Sequence, residues 1–206
     1  MLNLNGILKW IYDIGSWLAK VMYLHILWVL FTLLGFVLFG VMPATTALFS
    51  VIRKSIEGDR ETSIFYTFFS TYKKYFLKSN VLGLLMASLG IFLYIDLTIS
   101  KQMIQSFYIH AVLLVVCFLY FITVLYYFPV FVRYDFRIFK YIKQSFLISL
   151  ARPFETIAMI VSLVLLYYLF NLIPPLLFFA GSAIIAYPLM WFAYRAFSGI
   201  EGKNST

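Results

Sequence analysis

The sequence has a single cysteine, Cys117, which lies inside a long apolar run. One cysteine excludes an intrachain disulfide, and the chain has no Cys-x-x-Cys or Cys/His spacing of the kind that binds zinc. A cysteine in such surroundings is typical of a small, buried hydrophobic side chain. We therefore expect neither a disulfide framework nor a metal centre.

Charged residues are scarce as well. Asp, Glu, Lys and Arg make up 12% of the 206 residues, whereas about 25% is usual in soluble domains. Hydrophobic residues make up 64% of the chain, and its mean hydropathy is +0.95. A fold this apolar would expose adhesive patches in water, and lipid is the solvent that removes the difficulty. We predict an all-α, multi-pass transmembrane helix bundle that forms one membrane domain over residues 1–206.

Catalytic motifs are also absent. The sequence has no GxGxxG, GxxxxGK[ST], HExxH or GxSxG pattern, and no apolar stretch carries a central acidic residue. A proton- or sodium-coupled transporter more often has such a residue in mid-membrane. We therefore expect a non-enzymatic protein with no catalytic residues, no cofactor and no metal ion.

Stretches without a charged residue mark the candidate membrane spans, because a charge at the bilayer centre is costly. The first such stretch is too long for one upright helix. Gly35, Gly40 and Pro43 offer places to break it, and a second helix is predicted from Pro43 to near Gly58. A re-entrant or tilted arrangement is the alternative. About five spans result, near residues 22–41, 81–99, 111–132, 156–173 and 175–194.

Residues 1–20, which precede the first span, carry their polar side chains on one helical face. Asn5, Lys9, Asp13, Ser16 and Lys20 recur at helical spacing, and apolar residues lie largely opposite them. The pattern predicts an amphipathic helix that either lies in the membrane interface or packs against the bundle.

Positive charge is concentrated in two segments between the spans, residues 53–78 and 133–155. They carry six and five Lys or Arg residues, whereas the other two connections have only Lys101 between them. The positive-inside rule places both basic segments in the cytoplasm. With five spans the N-terminus is then outside and the C-terminus inside, although Lys9 and Lys20 disagree with that orientation. Membrane topology explains the net charge of +8 without nucleic-acid binding.

Both basic segments have the pattern of a helix with an aromatic face and a basic edge. One interpretation is a surface that binds anionic lipids or docks a partner protein. The other is that the aromatic faces cover the cytoplasmic end of the bundle and that the charges only fix topology. The candidate docking residues are Lys73, Lys74, Lys78, Arg137, Lys140 and Lys143.

Three titratable residues are expected near the outer face, namely His25, Asp96 and His110. Such a group has the chemistry to bind a metal ion or to relay protons. The sequence has no metal-ligand spacing at these positions, and interfacial polar residues that mark span ends are the alternative interpretation.

The two basic segments also resemble each other. Five residues between Phe69 and Ser79 match five between Phe139 and Ser149 at a constant offset of 70. Either chance similarity between amphipathic helices or a parallel repeat of the kind found in transporters explains the match. A small-solute channel or transporter is therefore the alternative function. The polar side chains expected along its water path are Thr32, Thr45, Ser88 and Asn171.

Three short motifs occur together in the chain. The first is Met42-Pro43-Ala44-Thr45-Thr46-Ala47-Leu48 before Arg53-Lys54, the second is Tyr72-Lys73-Lys74-Tyr75-Phe76, and the third is Phe128-Pro129 with Arg133-Tyr134-Asp135 and Arg152-Pro153. This set resembles the YesL-like family of bacterial membrane proteins, over most of the chain from about Gly15 to Arg195. That family usually has Gly directly before the Pro-Ala-Thr, where this chain has Met42.

The resemblance implies a bacterial plasma-membrane protein of unknown function. It also implies a link to carbohydrate use, since the family is often encoded beside sugar-uptake and polysaccharide-degradation genes, and it supplies no catalytic residues. We therefore expect an accessory or regulatory protein in carbohydrate uptake or utilisation. The expected partners are anionic lipids, sugar-transporter subunits or a second copy of the chain, and not nucleic acid.

Overall fold

The computed structural model describes residues 4–59, 62–104 and 106–201. Within these ranges the chain forms seven α-helices, a short π-helical turn at Ser100–Ile104 and no β-strand, which confirms the predicted all-α bundle. Residues 1–3 and 60–61, which belong to the predicted segments 1–20 and 53–78, lie outside the described residues, as do residues 105 and 202–206. The helices are α1 Leu4–Leu34, α2 Val41–Ile56, α3 Ile64–Ile99, α4 Phe107–Arg133, α5 Ile138–Ala151, α6 Pro153–Leu172 and α7 Pro174–Glu201.

Five of these helices, α1, α3, α4, α6 and α7, are long and apolar enough to cross a membrane. The helix α2 has only 16 residues, which is about 24 Å, less than the hydrocarbon thickness of a bilayer. The predicted spans near residues 111–132, 156–173 and 175–194 overlap α4, α6 and α7. The chain is therefore a multi-pass membrane protein with five candidate spans in the described residues.

The first span differs from the sequence prediction. The amphipathic segment expected at residues 1–20 and the span expected at 22–41 share one continuous helix, which runs from Leu4 to Leu34 and contains an apolar stretch from Leu8. The charge on Lys20 interrupts the charge-free stretch, but it does not interrupt the backbone hydrogen bonds of a helix. The predicted span also extends too far, because the helix ends at Leu34.

Residues 35–40 reverse the chain between α1 and α2. Phe36 and Val37 adopt left-handed backbone conformations, with φ of 54° and 63°. A Cβ on Gly40 would lie 2.2 Å from the carbonyl oxygen of Thr32, so only glycine fits where the two helices meet. The turn is fastened to α3 because the side-chain amide of Asn80 donates to the carbonyl oxygen of Phe39 at 2.9 Å.

The helix α3 joins the first basic segment to the span predicted at residues 81–99. Its 36 residues form a helix about 54 Å long, which exceeds the hydrocarbon thickness of a bilayer. The second basic segment is different, because α5 ends at Ala151 and Pro153 begins α6 as a separate helix. Proline in this position lacks only an N–H that the first turn does not need.

The described ends of the chain lie at the same end of the bundle, because α1 and α7 run antiparallel. Trp17 of α1 contacts Tyr187 of α7, with ring centroids 5.9 Å apart, whereas His25, further along α1, contacts Ser182, nearer the start of α7. The sequence prediction instead placed the two termini on opposite faces of the membrane. The chain reverses direction once more than a count of five spans implies, because the short helix α2 runs back along the bundle between α1 and α3.

The core lies around α2 and α7. Ala44, Ala47 and Ile52 of α2 are fully buried, as are Ala183 and Ala193 of α7. Small side chains at these positions let helix backbones approach closely, which is the usual basis of helix association in lipid. The helices α2, α4 and α7 all end at one end of this core, which we call the basic end.

Candidate functional site

Arg133 joins the carboxyl ends of three helices at the basic end. Its Nη1 lies 2.9 Å from Oε1 of Glu57, which follows α2, and its Nη2 lies 2.8 Å from Oε2 of Glu201 at the end of α7. The Tyr134 hydroxyl donates to Oε1 of Glu201 at 3.0 Å. Burial raises the pKa of Tyr134 to about 12, and the neighbouring Glu201 carboxylate adds to the effect, so Tyr134 stays a neutral donor.

Arg53 of α2 extends the same network. Its Nη1 donates to the carbonyl oxygen of Val132, and its Nε lies 3.4 Å from Oε2 of Glu57. Glu57 thus lies between two guanidinium groups, and both arginines are largely shielded from solvent. Such mutual pairing holds the ends of the three helices together.

Within the described residues, Lys78 is the candidate docking residue that forms an ion pair. Its Nζ lies 2.8 Å from Oδ1 of Asp135 and 5.0 Å from the ring centroid of Tyr141. The hydrogen bond from the Lys78 ammonium lowers the pKa of Asp135 below its ordinary value. Lys78 therefore links α3 to the chain between α4 and α5, which brings the two basic segments side by side.

The other five candidate docking residues remain at the surface. Lys74 lies over the ring of Tyr75 at 4.9 Å, and Lys140 lies over Phe136 at 4.3 Å, so both keep their charge exposed beside an aromatic ring. Within the described part of the chain, the remaining three are exposed and form no ion pair. We call the following set the docking surface: Lys73, Lys74, Arg137, Lys140 and Lys143.

The aromatic face of α3 packs against the bundle. Phe31 of α1 contacts Phe68, Phe69 and Tyr72, and Phe68 is completely buried. The Tyr72 hydroxyl also donates to the carbonyl oxygen of Phe31 at 3.1 Å. The aromatic residues of α3 therefore cover the bundle, as one of the two sequence interpretations expects, while the basic edge beside them stays exposed.

His25 lies in the middle of α1 and is held by α7. Its Nε2 donates to the carbonyl oxygen of Phe178 at 2.9 Å, and its Nδ1 lies 2.8 Å from the Ser182 hydroxyl and accepts the Ser182 backbone N–H at 3.2 Å. The structure does not bring His25 together with Asp96 and His110. Among the described residues, no group of three His, Cys, Asp or Glu side chains is placed to hold a metal ion.

The four residues expected along a water path do not meet. Thr45 accepts a hydrogen bond from the Trp28 indole at 3.0 Å and donates to the backbone of its own helix. Ser88 and Asn171 are exposed on separate helices and donate to backbone carbonyls one turn earlier. Thr32 is buried near the end of α1. These four side chains therefore do not line one common path of the kind that a channel or transporter would need.

Two cavities lie beside α3, and the first of them includes Lys74 of the docking surface in its lining. One, of about 360 Å³, is polar and lies between α2, α3 and the end of α4, with Arg53, Lys74 and Asp135 in its wall. The other, of about 280 Å³, is apolar and lies between α3, α4 and α5. The first gives the docking surface a recess next to its exposed lysines.

Sequence reasoning did not identify the ion-pair network at the basic end. Arg133 and Tyr134 are part of the third motif, but their partners Glu57 and Glu201 lie 76 and 68 residues away from Arg133 in the chain. The available signal was the position of each acidic residue just after or at the end of an apolar helix, close to a basic residue. That signal does not say which helices end together.

Known proteins similar to this chain are themselves uncharacterised. The family model described as "Protein of unknown function, DUF624" matches residues 21–97. The Bacillus subtilis (strain 168) protein "Uncharacterized protein YesL" is 34% identical over 210 residues, which cover 99% of this chain and 97% of that protein. "Uncharacterized protein YesV" and "Uncharacterized protein YteU", from the same organism, are 38% and 35% identical, each over 90% of this chain and over 90% and 84% of their own lengths. No solved structure matches.

Proposed function

Because this chain belongs to the YesL-like family of proteins of unknown function, DUF624, we propose that it is a non-enzymatic accessory or regulatory membrane protein in bacterial carbohydrate uptake or utilisation. The observation that carries the accessory role is the docking surface. Lys73 and Lys74 on α3, Arg137 directly before α5, and Lys140 and Lys143 on α5 are all exposed. The charges of Arg133, Glu57 and Glu201 are instead paired within the protein. The carbohydrate link is supported by the family resemblance.

An uncompensated positive surface favours a partner with an acidic one. Charge complementarity of this kind raises association rates and selects partners more than it raises affinity. The partner that we propose is an acidic cytoplasmic surface of a sugar-transporter subunit. The aromatic rings beside Lys74 and Lys140 hold these two ammonium groups near fixed positions, which lowers the ordering cost of docking.

We also propose that the protein resides in the plasma membrane with its basic end in the cytoplasm. The positive-inside rule supports that orientation. Both described ends of the chain are then cytoplasmic, because α1 and α7 run antiparallel. Lys9 and Lys20, which disagree with an outside N-terminus, fit this orientation.

Charge reversal on the docking surface tests the accessory role. The chain would be purified in a gentle detergent from bacteria grown on a polysaccharide or sugar, and its partners identified by mass spectrometry. We expect Lys73→Glu with Lys143→Glu to abolish recovery of a transporter subunit. The matched control is Lys9→Glu with Lys20→Glu, which reverses two other exposed lysines and should leave recovery unchanged.

Recovery of the same partner with both pairs of variants would refute docking at this surface. If Lys73→Glu with Lys143→Glu loses binding to anionic lipid vesicles but keeps every protein partner, the surface binds anionic lipid instead. In proteoliposomes we expect sugar and ion flux equal to that of empty vesicles. A flux above that level that disappears when the protein is blocked would contradict the accessory role and identify the protein as a channel or transporter.

A further inference from the structure

A polar cavity of about 610 Å³ lies on the other side of the basic end, between α1, the end of α2 and the start of α3. It is separate from the docking surface, none of whose residues lines it. Its volume is within the range of small-molecule binding sites, which is roughly 300–1,000 Å³. The cavity is large enough for a polar head group, and far larger than a single ion requires.

One wall of the cavity is a polar stripe on α1. Lys9, Asp13, Ser16 and Lys20 follow one another at helical spacing, so they face the same side of the helix. The surface of a membrane-spanning helix contacts either lipid or other parts of the protein. Polar side chains in a stripe of this kind therefore need polar groups opposite them. The structure places that stripe opposite the polar end of α2.

The lysines around the cavity outnumber its acidic groups. Lys54 of α2 pairs with Asp59, with Nζ and Oδ2 3.9 Å apart. Lys9 and Lys20 form no ion pair with an acidic side chain in the described residues. Three lysines against two aspartates leave the lining with a net positive charge, and two of the ammonium groups are free to bind an anion.

Thr67 is a further polar residue in the lining of the cavity. Thr67 of α3 is 4% exposed, and its hydroxyl has no hydrogen-bond partner in the described structure. A buried hydroxyl without a partner costs free energy. Trp17 and Tyr187, with ring centroids 5.9 Å apart, form the adjacent aromatic part of the lining.

We propose that this cavity binds the phosphate group of a small polar molecule or of a lipid head group. Ammonium groups form strong, charge-assisted hydrogen bonds with phosphate oxygens, and Lys9 or Lys20, which lie about 16 Å apart along α1, would supply them. The position at the basic end suits both sources, an anionic lipid such as phosphatidylglycerol and a soluble phosphate ester. This site does not depend on the accessory role proposed above.

Trp17 provides a direct reporter of binding. With Trp10→Phe, Trp28→Phe and Trp191→Phe, Trp17 is the only tryptophan in the full-length chain. That protein, in phosphatidylcholine nanodiscs, would be titrated by increasing the fraction of phosphatidylglycerol and, separately, with soluble glycerol phosphate. We expect a saturable change of Trp17 emission that Lys9→Ala with Lys20→Ala weakens at least about tenfold. Lys9→Arg with Lys20→Arg should retain it.

The matched control is Lys101→Ala with Arg195→Ala, which removes two exposed basic side chains that belong neither to the docking surface nor to the lining of the cavity. It should leave the titration unchanged, and equal thermal midpoints would show that all variants are folded. A response to phosphatidylglycerol alone identifies a lipid site, and a response to glycerol phosphate alone identifies a soluble ligand. The proposal is overturned if neither probe changes Trp17 emission, or if the control pair weakens binding as much as Lys9→Ala with Lys20→Ala.

Discussion

His25 is bonded through both of its ring nitrogens, although it lies in an apolar helix. The Nε2 hydrogen goes to the Phe178 carbonyl, so Nδ1 is left as an acceptor for the Ser182 backbone N–H and hydroxyl. The imidazole thus bridges two positions four residues apart on α7, where a helix offers a donor and an acceptor one turn apart. Buried polar groups in lipid are costly unless paired, so this contact fastens α1 to α7.

Replacing His25 should therefore weaken the bundle. We expect His25→Phe to lower the free energy of unfolding by about 2 kcal/mol, because two or more hydrogen bonds are lost. Ser182→Ala removes only one partner and should cost about 1 kcal/mol. Reversible unfolding in mixed detergent micelles measures both changes. The double variant should cost less than the sum, because the two residues share one interaction, and strict additivity would contradict the contact.

The pairing of Lys78 with Asp135 predicts a dependence of stability on pH. The Lys78 ammonium lowers the pKa of Asp135 in the folded protein. A carboxyl group with a lowered folded-state pKa adds stability above its ordinary pKa, about 3.9, and loses that contribution as pH falls through the lowered value. We expect Asp135→Asn to be less stable than the unmodified chain at about pH 6, with the difference shrinking as pH falls below about 3.9.

Thermal unfolding across that pH range measures the difference. Lys78→Met should remove the same pH dependence, because the carboxyl group then has no ammonium partner. A gap between Asp135→Asn and the unmodified chain that stays constant with pH would show that the ion pair is not its source.

At the scale of secondary-structure elements, the turn between α1 and α2 is the place where the structure decides between break points that the sequence left open. Gly35, Gly40 and Pro43 were all candidate break points, and the helix in fact ends before Gly35. The next helix begins at Val41, two residues before Pro43. Proline fits there because the first turn of a helix needs none of its own N–H groups.

Gly40→Ala tests this turn. A methyl group at Gly40 would overlap the backbone of Thr32, and a backbone cannot move aside as a flexible side chain can. We expect a loss of more than about 3 kcal/mol in the free energy of unfolding. Gly15→Ala is the matched control, because a Cβ there meets no atom within 4 Å and should stabilise α1 by about 0.5–1 kcal/mol. Similar effects of the two substitutions on unfolding in detergent would contradict the close approach.

Charge patterning predicts the fold class and where several of the apolar helices lie, because the cost of a charge in hydrocarbon is local to the sequence. It does not predict the extent of α1 and α3, where Lys20 and Lys78 lie within unbroken helices. Helices end at turns and backbone breaks, not at charges. The basic residues of the docking surface are visible in the sequence, whereas the pairing of Arg133 with Glu201 is not. That pairing depends on which helices are neighbours, which only the folded chain decides.

At the scale of the whole molecule, the bundle has two different ends. The basic end carries the ion-pair network, the docking surface and the phosphate cavity, and the other end carries the tight connections at residues 35–40 and 172–174. A bundle with its charge at one end has a fixed orientation in a membrane, because translocating many lysines is unfavourable. Everything proposed for the protein places its binding surfaces on that one side.

Cysteine labelling of intact cells tests this orientation most directly. In a Cys117→Ser background, single cysteines would be introduced as Lys9→Cys, Arg137→Cys, Lys101→Cys and Asn171→Cys and exposed to a membrane-impermeant maleimide. We expect labelling of the Lys101 and Asn171 positions in intact cells, and labelling of the other two only after the membrane is permeabilised. Labelling of Lys9→Cys in intact cells would contradict the account, because α1 would then begin outside. If Arg137→Cys stayed protected in the same cells, α1 could not run antiparallel to α7.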